Sequence, residues 1–148
     1  MYSLVKKRMI LAAATGTLLI ATSCTHSEAL PAYDSLGDAY QAVDSHVGCE
    51  EQAHEQPVTI LNASHPMGES RMCTDSVEIL WFKASETHQE ARSVAASAAD
   101  PSGSVHIVEG ANWFVVDLAE VQQRSLPGPR IDMKDLADAL DAKYSVEH

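Results

Sequence analysis

Hydrophobic and polar positions change rhythm several times along this chain. Leu36, Tyr40, Val43 and Val47 recur at helical spacing behind Asp34 and Ser35, and Ser35 with Asp38 has the form of a capping box. The pattern predicts a first helix over about residues 35–47, ended by Gly48. Residues 57–64 (PVTILNAS) form a β-rich run, and His65, Pro66, Met67 and Gly68 read as a turn leading into a second strand around Arg71, Met72 and Cys73. Residues 77–83 (VEILWFK) are the strongest strand signal. Their alternation sends Val77, Ile79 and Trp81 to one face and Glu78, Leu80 and Phe82 to the other, so both faces are expected to be covered.

Ser85 stands where a helix cap is wanted, and Ala91, Val94, Ala95 and Ala98 form an apolar stripe of small side chains suited to lying close on a sheet, with Asp100 and Pro101 as the stop. Residues 105–109 (VHIVE) and 113–118 (WFVVDL) are two further strands. The short link Gly110, Ala111, Asn112 between them predicts an antiparallel hairpin. Residues 124–130 read as a loop. Asp132 caps a last helix, with Ile131 and Leu136 placed as a hydrophobic staple and Leu140 and Tyr144 continuing its apolar face. The order predicts one α+β domain over residues 34–146, an antiparallel sheet of about four to five strands with helices packed on it.

Ahead of that domain lie Lys6, Lys7 and Arg8, then an apolar run over residues 9–21. Its 13 residues are too few to cross a hydrocarbon core, which takes ~20 in a helix, and fit the h-region of a secretory signal. Ala21, Thr22, Ser23 and Cys24 resemble a lipobox, the signal cleaved before a cysteine that receives diacylglycerol. Ala21 stands where leucine is commoner. The resemblance implies a signal peptide over residues 1–23, a lipidated Cys24 and a domain anchored on the extracytoplasmic face of the cell membrane. Cysteine parity agrees: with Cys24 lipidated, Cys49 and Cys73 remain as an even pair in an oxidising compartment. A bridge between them closes 24 positions and is worth roughly 3 kcal/mol. Residues 24–33 read as a flexible tether, of which the nine from Thr25 reach ~30 Å when extended.

Composition narrows the partners. Removal of residues 1–23 leaves seven basic against 21 acidic residues, a net −14. Such a chain is repelled by nucleic acid and by anionic headgroups. Cationic peptides, divalent ions or basic protein faces suit it better, although the same charge also serves solubility.

The motifs of catalysis are missing. No Gly-x-Ser-x-Gly elbow occurs, and His54-Glu55 lacks the spacing of a zinc-protease helix, so no enzyme is expected. The best metal candidate is His46, Cys49, Glu51 and His54, whose imidazole and thiolate would suit zinc or copper. No recognised ligand spacing is present, however, and Cys49 has an oxidisable partner. The expectation is therefore a disulfide with solvated His46, Glu51 and His54, and no cofactor beyond the lipid. Trp81, Phe82, Trp113 and Phe114 form a candidate apolar binding surface, with cross-strand core packing as its alternative. Asp132, Asp135, Asp138 and Asp141 spiral around a helix rather than sharing one face, and Asp138 is placed to pair with Lys134.

Taken together, Cys24, Cys49, Arg71 to Cys73, Ile79 to Phe82 and the hairpin from Gly110 to Val116 resemble the small lipoproteins of unknown function found in actinobacteria and in phages that infect them. The resemblance implies location and architecture and no chemistry. The expected function is a small extracytoplasmic binding module whose partner is an envelope protein or cell-wall component. A metal-binding or redox lipoprotein, and a phage-encoded lipoprotein that blocks a later phage, are the alternatives.

Overall fold

The computed structural model describes residues 29–50, 57–62, 65–101, 103–122 and 130–148. Helix α1 covers Leu36–Val47 and begins where the capping signal stands. The Ser35 hydroxyl donates to Asp38 Oδ2 at 2.7 Å and accepts from the Asp38 N–H at 3.2 Å. Gly48 ends the helix in the left-handed region, at φ 68°, with its N–H on the Asp44 carbonyl.

After α1 come β1 (Val58–Asn62), β2 (His65–Met72), β3 (Val77–Phe82), α2 (Ser85–Ala96), β4 (Val105–Glu109), β5 (Trp113–Asp117), α3 (Met133–Ala139) and β6 (Lys143–Glu147). The strands form one antiparallel sheet in the order β1-β2-β3-β5-β4-β6. The α+β class is as expected, with six strands rather than four to five.

Two segments differ from the expectation, and the second of them adds the sixth strand. Residues 65–68 belong to β2 and not to a turn, because pairing with β1, joined from Gly68 onward by pairing with β3, outweighs the local turn chemistry. Gly68 is there for packing: a Cβ would run into the Trp81 carbonyl and the Phe82 ring. Beside it, Leu61 faces Pro66 while Ile60 faces Gly68, which makes Met67 a bulge residue. The second misreading is at the C-terminus, where α3 stops at Ala139 and the chain turns through Leu140 and Asp141, the latter at φ 55°. Lys143–Glu147 then pairs with β4, placing Tyr144 in a strand.

Alternation sorts the sheet into two faces. On one, Val77, Ile79, Trp113, Val115 and Val108 pack against Leu36, Tyr40 and Val43 of α1 and Met133 and Leu136 of α3. The Cys49–Cys73 disulfide closes this layer, joining the residue after Gly48 to the end of β2 with a Cα separation of 4.6 Å. On the other face, Leu80, Phe82, Phe114, Val116, Val105 and Ile107 meet α2, with Ile60, Leu118 and Val121 packed beside them.

Helix α2 docks differently from expectation. Its N-cap is Ala84, which makes no side-chain capping bond, and Ser85 is already helical. Val94 points outward, 67% exposed, while His88 is buried and Ala91, Ala95 and Ala96 lie on the core. His88 packs against both the Phe82 and Phe114 rings, at centroid distances of 5.5 and 5.7 Å, and that anchoring sets the rotation of the helix.

Part of the segment expected to be a flexible tether is docked on the domain. Pro31 to Tyr33 are strapped to the β4–β5 hairpin: the Pro31 carbonyl accepts from the Ala111 N–H at 2.8 Å and the Trp113 indole at 3.0 Å. The Tyr33 carbonyl accepts from the Trp81 indole at 2.8 Å and the Asn112 amide at 2.7 Å, while the Tyr33 N–H donates to Asn112 Oδ1. Buried indole N–H groups need acceptors, and this segment supplies them. No helix among the described residues is long and apolar enough to cross a membrane.

Candidate binding site

Helix α2 is too narrow to cover its face of the sheet. Its alanines allow close approach over β3 and β5, and charged side chains fix it on the β4–β6 side. Arg92 pairs with Glu147 at 2.6 Å and with Glu109 at 3.6 Å, and donates to the Ser145 hydroxyl at 3.0 Å. These Arg92 contacts all lie away from β1. A groove of about 530 Å³ remains on the β1 side, with Leu80 and Val116 in its floor. Ala91, Ala95 and Ala98 form the helix side, Ile60, Met67 and Leu118 the sheet side, and Val94 stands at the mouth. Its dimensions fall in the range of small-ligand and side-chain clefts.

Two carboxylates, Glu78 of β3 and Glu90 of α2, complete the lining, and no lysine or arginine is among the described residues that do so. Glu78 reaches this face because β3 alternates, two positions from Leu80. Val58 extends the apolar surface outward, since it shares a face with Ile60 two residues along the same strand and is 59% exposed.

On the opposite face a second cleft, of about 390 Å³, opens at the rim of α3 and is polar. His106 of β4 contacts the Tyr144 hydroxyl through Nδ1 at 2.7 Å and lies 3.4 Å from Glu120 through Nε2. Glu120 also accepts from the Ser104 N–H at 3.0 Å. That bond first, then His106, holds its carboxyl below the usual range. Burial raises the Tyr144 phenol, helped by the charges of Asp132 and Glu120. Asp117, buried beside them, accepts from the Ala119 N–H at 2.9 Å. His106 thus bridges Tyr144 and Glu120, which ties β4, β6 and the segment after β5 together.

The residues singled out in the sequence divide sharply. Trp81, Phe82, Trp113 and Phe114 do not make one surface: the two tryptophans face α1 and α3, and the two phenylalanines face α2. Phe82, Trp113 and Phe114 are wholly buried and Trp81 is half-buried beneath the Tyr33 strap, so this candidate surface is core. Phe82 and Phe114 stack at 5.5 Å, as cross-strand neighbours do. Cys49 and Cys73 are joined, which leaves Cys49 no thiolate to give a metal. His46 lies exposed in the last turn of α1. Glu51, His54 and Cys24 lie outside the described residues, within which no group of three ligating side chains comes together. Of the aspartates, Asp132 caps α3 and Asp138 pairs with Lys134 at 3.1 Å.

The groove residues escaped the sequence reading because none is unusual in type. The one available sign was the mismatch between a strongly apolar strand face and an alanine-rich helix too small to fill the space above it.

No family model, curated protein or solved structure matches this chain.

Proposed function

We propose that this chain is a lipid-anchored extracytoplasmic binding module, held on the membrane through Cys24, whose recognition surface is the groove between α2 and strands β1 to β3. One observation carries the reading: the groove is a cleft whose lining is mostly apolar, with Val94 and Val58 exposed beside it. Contiguous apolar surface left open in this way marks a binding site more often than an accident of packing. The anchor rests on the n-region, the short apolar run and the Cys24 motif. With Pro31 docked on the hairpin, only residues 25–30 separate Cys24 from the domain, a reach of ~20 Å. The partner is therefore something close to the membrane surface, an envelope protein or wall component.

Two measurements test the two halves separately. Mass spectrometry of the mature N-terminus is expected to find diacylglycerol on Cys24, and a plain secreted chain cut elsewhere would sink the anchor. Nile red, a neutral apolar dye, is expected to bind saturably to the protein, with Val94→Asp abolishing the signal. Equal binding by both proteins would remove the groove as the site.

A further inference from the structure

We infer that the groove takes an extended, cationic segment of a partner protein, added beside β1 with its side chains laid into the cleft. The inference rests on the groove being the binding site and not on the lipid anchor.

Charge sets the sign of the ligand. Among the described residues that line the cleft, the ionisable ones are Glu78 and Glu90, on opposite walls, and the chain beyond residue 23 carries a net −14. Nucleic acid and anionic headgroups are repelled by such a field, whereas lysine and arginine are drawn in. Their aliphatic stems can cover Ile60, Leu80 and Val94 while the charged heads reach the carboxylates, a division these side chains make readily. Glu69, exposed opposite Thr59 on the α1–α3 face of the sheet, offers a further anion to residues that alternate to that side.

The edge sets the form. Strands β1 and β6 are the two borders of the sheet. Strand β6 carries Lys143 and Glu147, and charged residues are a common means of discouraging a further strand. Strand β1 (VTILN) carries no charge and exposes Val58. It also supplies Ile60 to the groove, so a strand added along β1 reaches the cleft without crossing the sheet. Addition of a strand to a free edge gives main-chain hydrogen bonds for affinity, while alternate side chains read the neighbouring surface.

The probe is a blocked peptide of alternating lysine and valine, and the protein is the full chain in nanodiscs of zwitterionic phosphatidylcholine, with empty discs as the blank. Saturable binding is expected, weakened by salt, and at least about tenfold tighter than that of the matching glutamate–valine peptide. Glu78→Gln with Glu90→Gln is expected to weaken it by up to about tenfold, the scale of two partly exposed charge contacts. Amide shifts are expected in β1 and along α2. Equal binding of the acidic peptide, shifts confined to other surfaces, or indifference to the double glutamine variant would each overturn the inference. So would a dimer of this chain that Val94→Asp disrupts, or a co-purified acyl lipid in the cleft, because either names a different occupant. Nile red binding without peptide binding refutes the cationic segment alone, and failure of both refutes the groove with it.

Discussion

One sheet serves two faces that are closed to different degrees. The α1–α3 face receives Leu36, Tyr40, Val43, Met133 and Leu136 from two helices, with Trp113 and Ile79 beneath them. Its margins are finished by the disulfide, by Arg71 over the Tyr40 ring at 4.1 Å and by the Pro31 to Tyr33 strap. The α2 face receives one helix whose inward residues are mostly alanine. Small side chains bring that helix near β3 and β5 but cannot fill the space toward β1, and Arg92 holds it to the opposite side. The first face is built for stability, and the second exchanges part of its packing for an opening. Residue size on the covering helix decides which.

The contrast is broken most severely at Trp113. Its ring is wholly buried against Tyr33, and its indole N–H holds the Pro31 carbonyl. Trp113→Ala is expected to cost about 3–5 kcal/mol in denaturant unfolding, since a large ring is lost and a cavity remains. A loss under about 1 kcal/mol would mean that the closed face is not the main source of stability. Next in size is the disulfide. Cys49→Ser with Cys73→Ser removes the covalent closure of the same face and is expected to cost about 3 kcal/mol, read from the shift in denaturant midpoint. An unchanged midpoint would leave the closure to side-chain packing alone.

The closed face was the more legible in the sequence. Leu36, Tyr40 and Val43 announce α1 by periodicity, and cysteine parity points to Cys49 and Cys73. The alternation of residues 77–83 correctly assigns Ile79 and Leu80 to opposite faces. What stayed hidden depends on partners distant in sequence. Tyr144 continues a helical pattern on paper, yet pairing of Lys143–Glu147 with β4 draws it into a strand. Gly68 looks like a turn residue and is a seat for Phe82. Residues 31–33 read as tether because their contacts lie some 80 positions away, at Asn112 and Trp113. The groove was hidden for a different reason: it is space, and no residue encodes space except by being too small for its neighbours.

Acid probes the polar rim of the closed face. Glu120 joins Ser104, His106 and Arg130 there, and its carboxyl is held low chiefly by the Ser104 N–H. A lowered folded value means that the contribution is full above the ordinary carboxylate value of 4.5 and disappears as pH falls through the folded one. The thermal midpoint of the native chain is therefore expected to fall more steeply below about pH 4.5 than that of Glu120→Gln. Parallel slopes would place the acid sensitivity elsewhere.

The smallest expected effect on folding is the most telling for the open face. Val94 lies on the helix that covers the second core cluster, yet it is 67% exposed at the mouth of the groove. If the cleft is an unfinished part of the core, Val94→Ser removes apolar contacts from it and destabilises the protein as an interior truncation does, by more than about 1 kcal/mol. If the cleft is held open as a surface, the same change sheds only exposed methyl groups and stays within about 0.5 kcal/mol of the native chain in denaturant. The second outcome is expected, together with weaker Nile red binding, because the methyl groups that the fold does not use are those a ligand meets first. Separation of the two readouts at one residue distinguishes a face that is merely thin from one that is kept for a partner.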